Sequence, residues 1–273
     1  MEQIIHELQD MRHLSWAKTR RSSGTAGSFL KAYEDTPDGK IYYKLSNYDS
    51  YRGIVGHECV NEIIVDRLLT HFGIAHLSYQ LIHAQILIDE TPVETWLCAS
   101  RDFKRRGESK IALDAYYQSE RTPGETPLAF CIRNGWAQTI YEMLVIDYLI
   151  LNRDRHGANM EVLRDRRRKT IRLAPLFDHG LSLLCRCETE ADLARENVMA
   201  DKPVQCFFGS RSTWENLKLI PKENLPKLPP ITANDKAALL SGLSDAIGDK
   251  WLEAIWQMLY QRSQAYASFC NQR

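Results

Sequence analysis

Asp154, Asn159 and Asp178 carry the side-chain oxygens best placed to do chemistry in this sequence. The first two lie in Leu151-Asn-Arg-Asp-Arg-His-Gly-Ala-Asn-Met160, and the third lies in Leu173-Ala-Pro-Leu-Phe-Asp-His-Gly180. Moving a phosphoryl group from ATP to a hydroxyl needs a carboxylate that orients the hydroxyl and takes its proton. It also needs hard oxygen ligands that hold Mg²⁺ against the phosphates. Asp154 suits the first task, and Asn159 with Asp178 suits the second. The same residue types also serve as loop caps, so Asn152, Asp154 and Asn159 capping a loop and Asp178 starting a turn is the competing reading.

Convergence of these residues depends on the elements between them. Ala137 to Leu151 is a long apolar run that predicts a buried helix ending at the polar loop. Met160 to Arg164 and Thr170 to Leu173 predict a hairpin, whose tip is the basic run Arg164 to Lys169. A hairpin returns the chain to its start, which brings Asp178 back toward Asp154. Asp154 followed by Asn159 matches the D-x-x-x-x-N loop of protein kinases, and Asp178-His-Gly180 stands in the place of their metal-binding D-F-G.

Upstream the pattern is β-rich. Phe29 to Tyr33 and Lys40 to Leu45 predict strands joined by the turn Asp35-Thr-Pro-Asp-Gly39. His57 to Phe72 predicts a helix, because Val60, Ile63, Ile64, Leu68, Leu69 and Phe72 recur at helical spacing before Gly73. Tyr79 to Ile88 and Val93 to Ala99 predict two further strands. Downstream, Asp235 to Phe269 predicts two helices broken at Gly248-Asp249, preceded by a Pro-rich surface connection from Pro221 to Pro230. Trp136 and Tyr141 read as core. The expectation is an α+β protein of two domains: residues 1–100, a small β-rich lobe with one helix, and residues 101–273, a mostly helical lobe.

Lys44 closes the strand Ile41-Tyr-Tyr-Lys-Leu45 between apolar neighbours, where an ammonium needs a negative partner. Glu58, Glu62 and Asp66 form a self-repelling stripe at i, i+4 spacing on the helix that follows. A Lys44–Glu62 pair relieves both; a solvated acidic face beside a snorkelling lysine is the alternative. Arg21-Ser-Ser-Gly-Thr-Ala-Gly-Ser28 holds small residues that let backbone N–H groups approach phosphate oxygens, although it is neither G-x-x-x-x-G-K-[ST] nor G-x-G-x-x-G.

Together these segments resemble the HipA-like family of bacterial Ser/Thr kinases, related to the protein and phosphoinositide (PI3/4-kinase) folds. The matching features are Ser22-Ser-Gly24, Tyr43-Lys-Leu45, Asn61-Glu62 in a helix ending Phe72-Gly73, Asp154-Arg-His156 with Asn159, and Ala174-Pro-Leu-Phe-Asp-His-Gly180. The resemblance implies a bilobal kinase-like fold using ATP and Mg²⁺ to phosphorylate a protein hydroxyl. It implies Lys44 on the ATP phosphates, Asp154 as catalytic base, and Asn159 and Asp178 on Mg²⁺. Ser22, Ser23, Gly24 and Thr25 correspond to the phosphate loop, with Ser22 or Ser23 as an autophosphorylation site. Cys98-Ala-Ser-Arg-Asp-Phe103, including Cys98 and Ser100, resembles the adenine-facing hinge. His156 either organises the catalytic loop or caps it. About 20 residues precede Ser22, which matches short single-domain relatives rather than full-length toxins with an added N-terminal subdomain. An antitoxin or regulatory protein is a further expected partner. A small-molecule or lipid-headgroup acceptor, or a nucleotide-binding regulatory module without turnover, are the competing functions.

Bulk composition narrows the partners. Lys plus Arg and Asp plus Glu each number 35, so no global field draws the chain to nucleic acid or an acidic membrane, and neither is expected as a direct partner. The N-terminus lacks a secretory pattern, no apolar run is long enough to span a bilayer, and a cytoplasmic location is expected. The seven cysteines are scattered and read as reduced thiols; Cys185 and Cys187 form a C-x-C pair with no second ligand pair at zinc spacing.

Overall fold

The computed structural model describes residues 2–18 and 29–273. Ser22, Ser23, Gly24 and Thr25, expected in the phosphate loop, lie outside the described residues.

The chain opens with β1 (Ile4–Asp10), β2 (Ala17–Lys18), β3 (Leu30–Thr36) and β4 (Gly39–Leu45). A small hairpin follows, β5 (Tyr48–Asp49) and β6 (Gly53–Ile54), then α1 (Glu58–Phe72), β7 (Tyr79–Ile88) and β8 (Thr91–Arg101). Six of these strands form one sheet in the order β1-β7-β8-β4-β3-β2. Its hairpins are local. β3 and β4 turn at Pro37-Asp38, and β7 and β8 turn at Asp89-Glu90, both at positive φ (48° and 65°), as a two-residue hairpin turn requires. β1 is different: it pairs parallel to β7, with an irregularity in register between Ile5 and Gln9.

The sheet buries both faces. Leu30, Ala32, Tyr43, Leu45, Ile82, Leu97 and Ala99 meet Met11 and Leu14 on one side. On the other side Leu81 and Cys98 join a larger core with the apolar face of α1. α1 stops where the periodicity predicts, at Gly73 in the left-handed region (φ 68°), whose N–H caps Leu69 and Thr70 carbonyls.

The remainder holds β9 (Glu108–Ala112), α2 (Leu113–Glu120), α3 (Pro127–Arg133), α4 (Ala137–Leu149), β10 (Asp154–Arg155), β11 (Glu161–Asp165) and β12 (Thr170–Leu173). After these come α5 (Glu190–Arg195), β13 (Gln205–Cys206), α6 (Thr213–Leu217), α7 (Asp235–Leu240) and α8 (Asp249–Gln272). α4 is buried almost throughout and packs against α6 and α8, with Tyr141 in the core and Trp136 packed against it. The expected hairpin is present as β11 and β12, but β9 adds a third strand to it. β10 pairs parallel to β13, tying the loop that carries Asp154 to residues 51 positions further on. The Pro221–Pro230 connection lines one wall of a cavity of about 670 Å³, with Tyr266 and Cys270 of α8 opposite.

Among the described residues no helix is long and apolar enough to cross a membrane. All seven cysteines are free thiols.

Candidate functional site

Lys44 sits at the centre. Its Nζ donates to Glu62 Oε1 at 3.0 Å and also contacts Asp178 Oδ1, so one ammonium bridges the α1 helix and the D-H-G segment. Burial disfavours the Lys44 charge, but the neighbouring Asp178, Glu62 and Tyr79 outweigh it and hold its pKa well above the ordinary value. Burial likewise opposes ionisation of Asp178, and Lys44, with Lys31 behind it, overcomes that and keeps the carboxyl well below the usual carboxylate range.

The polar stripe of α1 is what grips this segment. Glu58, Asn61, Glu62 and Asp66 are all buried. Glu62 Oε2 accepts from the His179 N–H at 2.9 Å, and Asn61 Nδ2 donates to the carbonyls of Gly180 (2.9 Å) and Ser182 (3.0 Å). Asp66 accepts from the Tyr79 N–H, and Tyr79's hydroxyl accepts from the Asp178 N–H at 3.2 Å. A side chain at residue 180 would place its Cβ 3.0 Å from Glu58 Cβ and 3.3 Å from Glu58 O, so glycine there lets the segment pass against the helix. Asp178 itself is held at φ 61°, a conformation that costs a non-glycine residue energy and that the surrounding bonds over-determine. The acidic stripe is thus neither solvated nor self-repelling: it is consumed by Lys44 and by backbone N–H groups.

The Asp154 loop is built on a buried ion pair that sequence reading missed. Arg155 and Asp147 are 1% and 5% exposed, and the guanidinium reaches Asp147 with two bonds of 2.9 Å. Asn152 Nδ2 donates to the same carboxylate at 2.8 Å, and its Oδ1 accepts from the Asp154 N–H at 3.2 Å. Arg155 Nη1 also donates to the carbonyls of Phe177 (3.2 Å) and Asn159 (3.5 Å). One nitrogen therefore ties the residue before Asp178 to the residue expected to share its metal. The available signal was Asp147 itself, an acid inside an apolar helix that needs a partner.

Asn159 Nδ2 donates to Asp154 O (2.7 Å) and Oδ2 (3.2 Å), which turns Asn159 Oδ1 away from Asp154 as an acceptor. His156 both caps and neighbours: its Nδ1 accepts from the Ala158 N–H at 3.2 Å, and its Nε2 lies 3.6 Å from Asp154 Oδ2. With Nδ1 accepting, a neutral ring carries its proton on Nε2, facing the carboxylate.

Among the described residues no three His, Cys, Asp or Glu side chains are grouped to hold a metal by themselves. One carboxylate, Asp178, and one amide oxygen, Asn159, suit Mg²⁺, which keeps waters and takes the rest of its ligands from phosphate.

Cys98 lies mid-strand rather than in a connection. It is buried and pairs with Lys44 on β4 and Leu81 on β7. Ser100 is also in the ladder, opposite Tyr42 and Tyr79, and β8 runs on to Arg101. The connection therefore begins at Asp102, whose N–H donates to Lys40 O at 3.0 Å. Asp102 and Phe103, with Ile41, Tyr79 and Ser100, border a cavity of about 570 Å³. Phe103 meets Phe177 in a tilted ring contact (centroids 5.5 Å apart), and Lys110 pairs with Asp102 at 2.9 Å.

No protein-family profile and no curated protein matches the sequence. Solved structures do. The crystal structure of CtkA, a proinflammatory kinase of Helicobacter pylori, superposes with a TM-score of 0.61 over 96% of this chain and 98% of that one, at 14% identity. HipA of Shewanella oneidensis MR-1, solved with HipB and operator DNA, superposes with a TM-score of 0.50 over 94% of this chain and 67% of that one, also at 14% identity. The chain has the fold of these proteins. At 14% identity the likeness stands for fold alone: a mixed α+β architecture shared with CtkA and HipA. The expectation that nucleic acid is no direct partner gains no support, because the HipA assembly contains DNA.

Proposed function

We propose that this chain is an ATP-dependent kinase of HipA-like type that transfers the γ-phosphoryl to a protein hydroxyl. The observation that carries this reading is Lys44 joined at once to Glu62 of α1 and to Asp178 beside Gly180. A lysine fixed between a helix carboxylate and a D-x-G carboxylate is the pre-set electrostatic frame that phosphoryl transfer demands.

In this reading the β-rich part up to about residue 100 and the helical part from there to residue 273 are two lobes of a bilobal, kinase-like fold, with ATP between them. The backbone at Asp102–Phe103, beyond the strand that holds Cys98 and Ser100, meets the adenine. Lys44 contacts the phosphates. Asp178 and Asn159 would hold Mg²⁺, which when bound neutralises charge on the phosphates. Asp154 orients the acceptor hydroxyl and takes its proton, with Asn159 and His156 fixing the carboxylate. Arg155 and Asp147 hold the loop in register with the Asp178 segment. A regulatory protein partner is a further proposal, on the likeness to HipA, whose structure includes HipB.

Incubation with γ-labelled ATP and Mg²⁺, alone and with lysate proteins, tests the reading. Wild type incorporates label, and Asp154→Ala and Asp178→Ala lose it by at least about a hundredfold. Equal labelling by all three, or ATP binding without transfer, removes the kinase assignment.

A further inference from the structure

Lys31 belongs to β3, and its cross-strand partner is Lys44 of β4. Residues directly opposite on an antiparallel pair share a face, so the two ammonium groups stand on the same side of the sheet, the side covered by α1 and Asp178. Like charges so placed repel. Lys44 is ion-paired to two carboxylates; Lys31 is ion-paired to none among the described residues. Among the described residues no carboxylate lies within ion-pair distance of Lys31, and no hydrogen bond engages its ammonium, although the residue is only partly exposed. Its nearest charged groups include Asp178, Glu62 and Glu161 on one side of the balance and Lys44 on the other.

The charge inventory of the site explains what such a lysine is for. Lys44 stands as one ammonium against the carboxylates of Glu62 and Asp178, so this cluster by itself is acidic and would repel a polyphosphate. Lys31 is the cation there that no described carboxylate reaches at ion-pair distance.

We infer that Lys31 is a second polyphosphate-binding cation of this site, reading the β- and γ-phosphate end of the nucleotide beside Lys44. The inference rests on the nucleotide site proposed above and adds a specificity residue to it. Lys31 makes affinity depend on phosphate number, because AMP and adenosine leave it without a partner.

Calorimetric titration of wild type and Lys31→Met with ATP, ADP, AMP and adenosine tests this. Loss of a charge-assisted contact lowers ATP and ADP affinity by about tenfold to a hundredfold, while AMP and adenosine change by less than about threefold. Lys31→Arg, which keeps the charge, recovers most of the ATP affinity. Wild-type ATP affinity in Lys31→Met, or an equal loss for adenosine and ATP, overturns the role of Lys31 alone. A wild type that binds no nucleotide overturns the nucleotide site and this inference with it.

Discussion

Replacing Asp147 by alanine removes one half of an ion pair that is almost wholly withdrawn from solvent. Arg155, 1% exposed, loses both 2.9 Å bonds to the carboxylate, and Asn152 loses its 2.8 Å acceptor. The contacts of Arg155 Nη1 to the Phe177 and Asn159 carbonyls survive, so the guanidinium is not wholly orphaned, but its fork is. Breaking a buried pair from one side costs about 3–5 kcal/mol, because the remaining charge is left uncompensated. At roughly 2–4 °C per kcal/mol for a domain approaching this size, the melting midpoint falls by about 6–20 °C. The double variant Asp147→Leu/Arg155→Met exchanges two buried charges for apolar groups and recovers much of that loss, since a buried pair is worth little against well-packed hydrophobic residues. Thermal unfolding followed by circular dichroism reads both. A single Asp147→Ala variant melting within about 2 °C of wild type, or a double variant less stable than the single, would show that the pair does not hold the Asp154 loop as described.

Two further outcomes follow from packing and burial. His57, before α1, has a buried Nε2 without a partner, and burial pushes its pKa down to about 4. The unfolded ring titrates near 6.5, so between these values the unfolded chain binds more protons than the native one; the stability this neutral His supplies is present above about pH 6.5 and is lost as pH falls toward 4, on the order of 3 kcal/mol. Urea midpoints across that range flatten in His57→Gln; an unchanged slope contradicts the assignment. Gly180→Ala forces a methyl to within 3.0 Å of Glu58 Cβ and should destabilise by about 1–3 kcal/mol, and an unaltered melting midpoint would mean the segment does not press on α1 as closely as described.

Much of the sheet was legible because its signals are local. β3 and β4 flank a turn-rich pentapeptide, β7 and β8 flank a two-residue turn, and α1 shows helical periodicity up to Gly73. β1 was not legible: only Ile4 along it is buried, and its pairing with β7 joins residues some 75 positions apart. β9 escaped for a related reason, since Glu-Ser-Lys-Ile-Ala carries no apolar alternation and becomes a strand by pairing with β11. The two-residue pair β10–β13 is below any periodicity.

The site divides in the same way. The approach of the Asp154–Asn159 loop to the Asp178 segment was legible from the order helix, loop, hairpin, D-x-G, and the Lys44–Glu62 pair from the shared problem of a buried cation and a buried acid. Their support was not. Asp147 announced a missing partner without naming Arg155, because the reversal of chain after α4 decides which side chain returns to it. Tyr79 and Lys31 looked like ordinary strand residues, and only the sheet order places them beside Asp178. The reach of β8 to Arg101, which moves the connecting backbone to Asp102, is likewise fixed by pairing with both β4 and β7.

A crystal structure with a non-hydrolysable ATP analogue and Mg²⁺ addresses the site most directly. The expected result is a metal about 2.1 Å from side-chain oxygens of both Asp178 and Asn159, with the phosphates against Lys44. A nucleotide seated elsewhere, or a metal touching neither residue, would contradict the convergence on which the kinase reading stands.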